Sequence, residues 1–314
     1  MTAAFVLPLF AAASAWAQDP AVFRVDVRLV RLLVTVKDDM GRLIGSLGKE
    51  EFAVYDNGVR QEISVFERHT EQPLSVSLLI DTSSSTGKEL RYEVQSVERF
   101  LKALFGEGNP KDEASLVEFN DEVILRSSFT RRLERLRRAL GELKAGGGTS
   151  IYDAIYLAAD RMEGRDGRHV IVAVTDGGNT TSYKSYQEAL EAIHRADAVF
   201  YAIVVMPITN DPGRNIGGEN ALASLAASSG GRIFYPSVGA TLDQAFADIL
   251  RDLRTQYLLA YYPKDVPPSK DRFHRVTIRL PRPDLRALSR NGYYGDSETT
   301  GKPDRSGRGP AGRR

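Results

Sequence analysis

The middle of this chain alternates between two textures. Short apolar runs (SVSLLID, ASLVEFN, HVIVAVTD and AVFYAIVV) are separated by stretches with helical spacing at 86–104, 130–143, 150–162 and 183–195. A further short strand, EVILRS, follows ASLVEFN directly. A helix over 220–229, closed by Gly230-Gly231, the strand RIFYP and a last helix over 242–253 complete the series. Strands that are apolar from end to end are buried on both faces. Strands alternating with helices imply a mostly parallel sheet covered on both sides.

The two ends of the chain read differently, as β-structure alone. Residues 22–66 alternate with period two, but the phase slips. Val25, Val27 and Leu29 share one face, and Leu32, Val34 and Val36 share the other, which predicts a bulge or a change of sheet near Val30. FAVYDNGVRQEISVF reads as a hairpin, with Phe52 and Val54 on one arm and Ile63 and Val65 on the other, turning at Asp56-Asn57-Gly58. After residue 255, QYLLAYYP and HRVTIRLP are strands and LRALSRNGYY closes the pattern. Neither β region is large enough to hold a good core alone. The expected organisation is therefore an α/β domain over 73–254, inserted in a β-sandwich whose halves are residues 22–70 and 256–295.

Composition narrows the function classes. Forty-two basic residues stand against 41 acidic ones, a net charge of +1, which argues against a nucleic-acid binder. The absence of cysteine excludes disulfides, thiolate metal sites, a cysteine nucleophile and a lipid-bearing cysteine anchor. The N-terminal run ends in Ala15-Trp16-Ala17, which fits a secretory cleavage site before Gln18, so residues 1–17 are expected to be a signal peptide, although no Lys or Arg precedes the run. No other segment reaches the ~18 apolar residues of a membrane span. An exported chain, periplasmic or extracellular, is the expectation. The tail over 296–314 is rich in Gly, Pro, Arg and Ser and is expected to be disordered.

In an open parallel sheet, ligands bind beyond the carboxyl ends of the strands. Three segments put oxygen ligands there: Asp81-Thr82-Ser83-Ser84-Ser85, Gly146-Gly147-Gly148-Thr149-Ser150 and Val174-Thr175-Asp176-Gly177-Gly178. Asp81, Ser83, Ser85, Thr149 and Asp176 are all hard oxygen donors, a set suited to Mg²⁺, Mn²⁺ or Ca²⁺ and not to zinc or copper. The glycines before Thr149 would let backbone approach an ion closely.

DTSSS, GGGTS and TDGG together resemble the metal-ion-dependent adhesion site of von Willebrand factor type A domains, which have a Rossmann-like doubly wound sheet. The flanking stretches VTVKDDMGRLIGSLGKEEFAVYDNGVRQEISVFE, QYLLAYYPKD and FHRVTIRLPRPDLRALSRNGYY are similar to those of bacterial VWFA-related domain proteins. The resemblance implies that Ser83, Ser85 and Thr149 contact the ion through hydroxyls, while Asp81 and Asp176 act mostly through bound water. It also implies a partner protein whose Asp or Glu completes the metal's shell.

Blander readings compete. Ser85 or Thr86 could cap one helix and Ser150 another. Asp153 reads as a dipole-stabilising acid or a group behind the site, and Asn120-Asp121 as a turn. Enzyme readings lack parts. A subtilisin-like triad needs a base between Asp81 and Ser150, and the four histidines (His69, His169, His194, His274) all lie elsewhere. A haloacid-dehalogenase-type phosphatase needs an acid where Ser83 stands, and GGGTS lacks the lysine of a phosphate-binding loop. The chain is thus expected to be a non-enzymatic binding module. The rival expectation is a structural module of an envelope or secreted assembly whose metal site only stabilises it.

Overall fold

The computed structural model describes residues 29–69, 71–206, 215–267 and 269–295. The expected signal peptide and tail lie outside these residues. The chain opens with β1 (Val30–Asp38), β2 (Ala53–Asp56), β3 (Val59–Gln61) and β4 (Val65–Glu67). The α/β series follows as β5 (Leu74–Asp81), α1 (Leu90–Glu107), β6 (Glu113–Phe119), β7 (Val123–Thr130), α2 (Leu133–Gly141), α3 (Ile151–Asp160), β8 (Arg168–Thr175), α4 (Tyr186–Arg195), β9 (Ala198–Val204), α5 (Ile216–Ser229), β10 (Ile233–Phe234) and α6 (Ala240–Thr255). It closes with β11 (Tyr257–Tyr261), β12 (Phe273–Arg279), β13 (Leu285–Leu288) and β14 (Gly292–Tyr294).

The central sheet has the order β10-β9-β8-β5-β6-β7 and is parallel except for the β6–β7 pair. Every residue of β5, β8 and β9 is buried, including the polar Ser75, Ser77 and Asp81 of β5. Helices cover both faces. Val97, Phe100, Leu101 and Leu104 of α1 join residues of α2 and α6 over one face, with Val76, Leu78 and Ile80 of β5 beneath them. Residues of α3, α4 and α5 pack with Leu79 over the other. This is the doubly wound α/β class that the sequence predicts. From β5 the chain winds to one side through β6 and to the other through β8, so the winding reverses between β5 and β8.

The terminal strands form two four-stranded antiparallel sheets, β13-β1-β11-β4 and β14-β12-β2-β3. Each mixes strands from both ends of the chain, and the two share one core around Leu32, Val34, Val54, Tyr257, Leu259 and Val276. From Val30 onward, β1 keeps one phase and pairs with β11 and then β13 without a register shift. The expected slip involves Val25 and Val27, which lie outside the described residues. The hairpin turns at Asn57-Gly58, with φ of 45° and 83°, as a two-residue turn joining β2 to β3. One expectation fails here. Neither Ile63 nor Val65 is on the hairpin's second arm: Ile63 lies past the end of β3, and Val65 is in β4, which pairs with β11 in the other sheet. The reason is that β3 ends at Gln61, and the chain crosses between the sheets through the buried Ile63.

The two units are joined by the β4–β5 and α6–β11 crossings. Arg168 at the start of β8 ties both, donating to Gln72 O (3.1 Å) and Leu253 O (2.5 Å), and burial pulls its guanidinium down to about 10. Asp252 of α6 pairs with Lys37 (3.1 Å) and Arg232 (2.7 Å). On the flank of α4, His194 stacks on Phe273 at 5.3 Å, and burial holds its imidazole down at about 4.

Within the sandwich, Asp56 is fully buried and its Oδ2 accepts from the hydroxyls of Tyr261 (2.8 Å) and Tyr293 (2.7 Å). Asp56→Ala leaves the buried Tyr261 hydroxyl and the partly buried Tyr293 hydroxyl without an acceptor and is expected to cost about 2–4 kcal/mol, while Tyr293→Phe, which removes donor and bond together, costs about 1 kcal/mol. Urea unfolding of the two variants beside the parent protein checks the ranking.

Candidate metal centre

The three predicted loops meet at the carboxyl ends of β5 and β8, where the winding reverses. Asp81, the last residue of β5, has no exposed surface. Its Oδ1 accepts from Ser83 N–H (2.8 Å) and its Oδ2 from the Thr175 hydroxyl (2.6 Å) at the end of β8. Burial pushes the Asp81 carboxyl up to about 6, against the two hydrogen bonds and with a further push from Asp176.

The loop after Asp81 folds back on itself. The Thr86 hydroxyl donates to Asp81 O and Ser83 O, both at 3.0 Å, and closes a 3₁₀ turn over Ser84–Thr86. This turn leaves Ser83 Oγ and Ser85 Oγ side by side, 3.1 Å apart. The helix expected from residue 86 therefore starts at Leu90. The second loop is stitched to the first by two backbone bonds, Ser84 N–H to Gly147 O (3.1 Å) and Gly146 N–H to Thr82 O (2.7 Å). Thr149 is held through its backbone, its N–H donating to Thr180 Oγ1 (2.8 Å) and its carbonyl accepting from Thr180 and Thr181. Asp176 Oδ1 accepts from Gly178 N–H at 3.2 Å. Asp176 Oδ1 and Thr149 Oγ1 lie 3.5 and 3.8 Å from the point that a Cβ on Gly178 would occupy, so the third loop comes against the second.

All five predicted residues thus sit on these three adjoining loops at one end of the sheet. The capping alternatives do not account for the hydroxyls. The helix after the first loop, α1, has Glu89 at its N-cap, not Ser85 or Thr86, and Ser150, before α3, makes no side-chain cap. Ser150 Oγ instead meets Asp121 O (3.2 Å) and Thr181 Oγ1 (2.8 Å).

Three residues do more than the sequence suggests. Asp121 is not only a turn residue, since its Oδ1 accepts from Gly148 N–H at 2.6 Å. A Cβ on Gly147, whose φ is +76°, would fall 2.3 Å from Asp121 Oδ2, so that glycine serves the fit of the Asp121 carboxylate. Asp153 ties down the segment after the third loop by accepting from Tyr183 N–H (3.0 Å) and Lys184 N–H (2.6 Å). Glu93, in the first turn of α1, is fully buried with neither carboxylate oxygen hydrogen-bonded, and burial together with Asp81, Glu89 and Asp176 raises its carboxyl well above the ordinary range. A signal for Glu93 was present in the sequence: it falls on the helical phase of Val97, Phe100, Leu101 and Leu104, where an apolar residue belongs.

The donor chemistry fits a hard divalent cation: two carboxylates and three hydroxyls, with no imidazole or thiolate. Among the described residues no group of three or more His, Cys, Asp or Glu is placed to hold a metal by itself, so hydroxyls would have to share the work.

Residues 76–179, which span all three loops, match the family model of the von Willebrand factor type A domain. The chain carries a von Willebrand factor type A domain. Solved structures that resemble it include the von Willebrand domain of the type V pili tip protein Mfa5 from Porphyromonas gingivalis, at 15% identity and a TM-score of 0.48, covering 58% of this chain and 95% of that one. Another is the conserved hypothetical protein BatB from Bacteroides thetaiotaomicron, at 17% identity and a TM-score of 0.47, covering 57% of this chain and 98% of that one. No curated protein matches the sequence. The von Willebrand domain of this chain therefore takes its functional reading from its own residues.

A raised Asp81 has a defined effect on stability. Its carboxyl stands at 3.8 ordinarily and at about 6 in the folded domain. The folded state thus holds this proton more tightly than the unfolded chain does. The stabilisation is complete below about pH 4 and is lost as pH rises through about 6, an effect on the order of 3 kcal/mol. Thermal unfolding of metal-free protein between pH 4 and 7 is expected to show that loss, and Asp81→Asn to flatten Asp81's share of it.

Proposed function

We propose that this chain is an exported interaction module that holds a divalent cation, Mg²⁺ or else Mn²⁺ or Ca²⁺, and uses it to bind an acidic side chain of a partner protein. The observation that carries the reading is the meeting of Asp81, Ser83, Ser85, Thr149 and Asp176 on three loops bonded to one another at the switch point of the sheet. Neutral hydroxyls supply part of the shell, so the protein compensates the ion's charge incompletely. An ion held this way favours an anionic oxygen from outside.

A non-enzymatic role is part of this reading. The histidines are occupied away from the loops. His169 is bonded to Ala196 O and Arg165 O near the start of β8, and His194 to Ser228 O. His69 faces Arg254 O, and His274 lies against Asp56 in the sandwich. Export rests on the leader-like sequence over 1–17. No described helix is long and apolar enough to cross a membrane.

Calorimetric titration of Mg²⁺, Mn²⁺ and Ca²⁺ into chelator-treated protein is expected to give one saturable site, lost in Asp81→Ala and in the Ser83→Ala/Ser85→Ala double variant. Binding partners captured from the native envelope or medium should release on chelation. Capture that survives both chelator and Asp81→Ala would sink the proposal and move attention to the edge strands of the sandwich, β3, β4, β13 and β14.

A further inference from the structure

Helix α1 begins directly behind the first ligand loop and packs its apolar face under the sheet through Val97, Phe100, Leu101 and Leu104. One turn earlier on that face stands Glu93, with no exposed surface and no hydrogen-bond partner for either oxygen. The charges that act on it are Asp81, Glu89 and Asp176, all negative, and no described lysine or arginine forms an ion pair with Asp81, Glu93 or Asp176. A buried carboxyl without a partner is costly, and a leucine or methionine at this position would pack without that cost. What the neighbourhood lacks is a positive charge, and the ligand loops are where one would sit.

We propose that Glu93 is a further residue of the ion site, an anionic group behind the ligand loop that acts on the cation through intervening water. The inference rests on the metal-binding reading above. Direct coordination is not part of it, because the carboxylates are not placed to hold an ion by themselves. Acting from behind, Glu93 helps the domain keep its ion when no partner is bound. It also reduces the charge left over for the partner's carboxylate. Glu93 is in this sense a positioning residue that tunes the ion.

The test compares Mg²⁺ and Mn²⁺ titrations of the chelator-treated full chain with those of Glu93→Gln and Glu93→Asp, with thermal unfolding of each protein without and with metal. Glu93→Gln is expected to weaken metal binding about 10-fold or more, the scale on which groups behind the ligands act. Its metal-free midpoint should equal or exceed that of the parent, since an unpaired carboxyl has been neutralised. Glu93→Asp keeps the charge and should recover most of the affinity. Equal metal affinity in Glu93→Gln and parent overturns the proposal while leaving the metal site standing. A fall in the metal-free midpoint of Glu93→Gln with no selective loss of affinity also overturns it, in favour of a purely structural role. A parent protein that binds no metal removes this inference and the metal-binding reading together.

Discussion

The structure turns on a carboxylate buried where a parallel sheet reverses its winding. Asp81 ends a strand buried along its whole length, between β6 and β8. Its two oxygens are used differently. One fixes the start of its own loop through Ser83 N–H, and the other reaches across to β8 through the Thr175 hydroxyl. The second loop hangs on the first by backbone bonds at Thr82 and Ser84, and the third follows from Thr175. Removing the Asp81 side chain would therefore remove an anchor shared by two loops as well as a proposed ligand.

Such an arrangement is expensive without an ion. Asp81 and Glu93 are both fully buried and both raised by desolvation, with Asp176 adding to each. The rest of the domain can carry this because its stability is lodged elsewhere, in two apolar layers on opposite faces of the sheet. The sandwich adds a third core that does not touch the loops. Stabilising burial and destabilising charge are thus kept apart, the usual relation between a scaffold and the site it carries.

Much of this could be read in the sequence because the controlling patterns are local. Largely apolar runs identified β5, β8 and β9, helical spacing found α1 to α4 and α6 within a few residues, and the closing Gly230-Gly231 found the end of α5. Of the five proposed ligands, Asp81, Ser83 and Ser85 were visible because a strand end followed by hydroxyls is compositionally unusual, and Thr149 and Asp176 through GGGTS and TDGG in register with them. What escaped was set by distance along the chain. Asp121 looks like any turn residue until Gly148, twenty-seven positions later, is seen to fold against it. Thr175 reads as the end of a strand, and its bond to Asp81 spans 94 positions. Val65 was misplaced because alternation alone does not say which of two sheets a strand joins. Glu93 was legible as a break in an apolar phase, but its neighbours in space, apart from Glu89, come from other loops.

The two chain crossings between the units lie at the amino ends of the parallel strands, where Arg168 clasps both. Only Gln256 separates α6 from β11. The ligand loops lie at the other end of β5, eight residues or about 26 Å away. A pull applied at those loops and resisted by the sandwich therefore runs along the strand axes. Strand β5 holds to β6 and β8 over seven paired residues on each side, so such a pull loads those hydrogen bonds together, in shear, and does not peel them one by one. If the proposed partner binds at those loops, the load it transmits falls on these paired strands all at once.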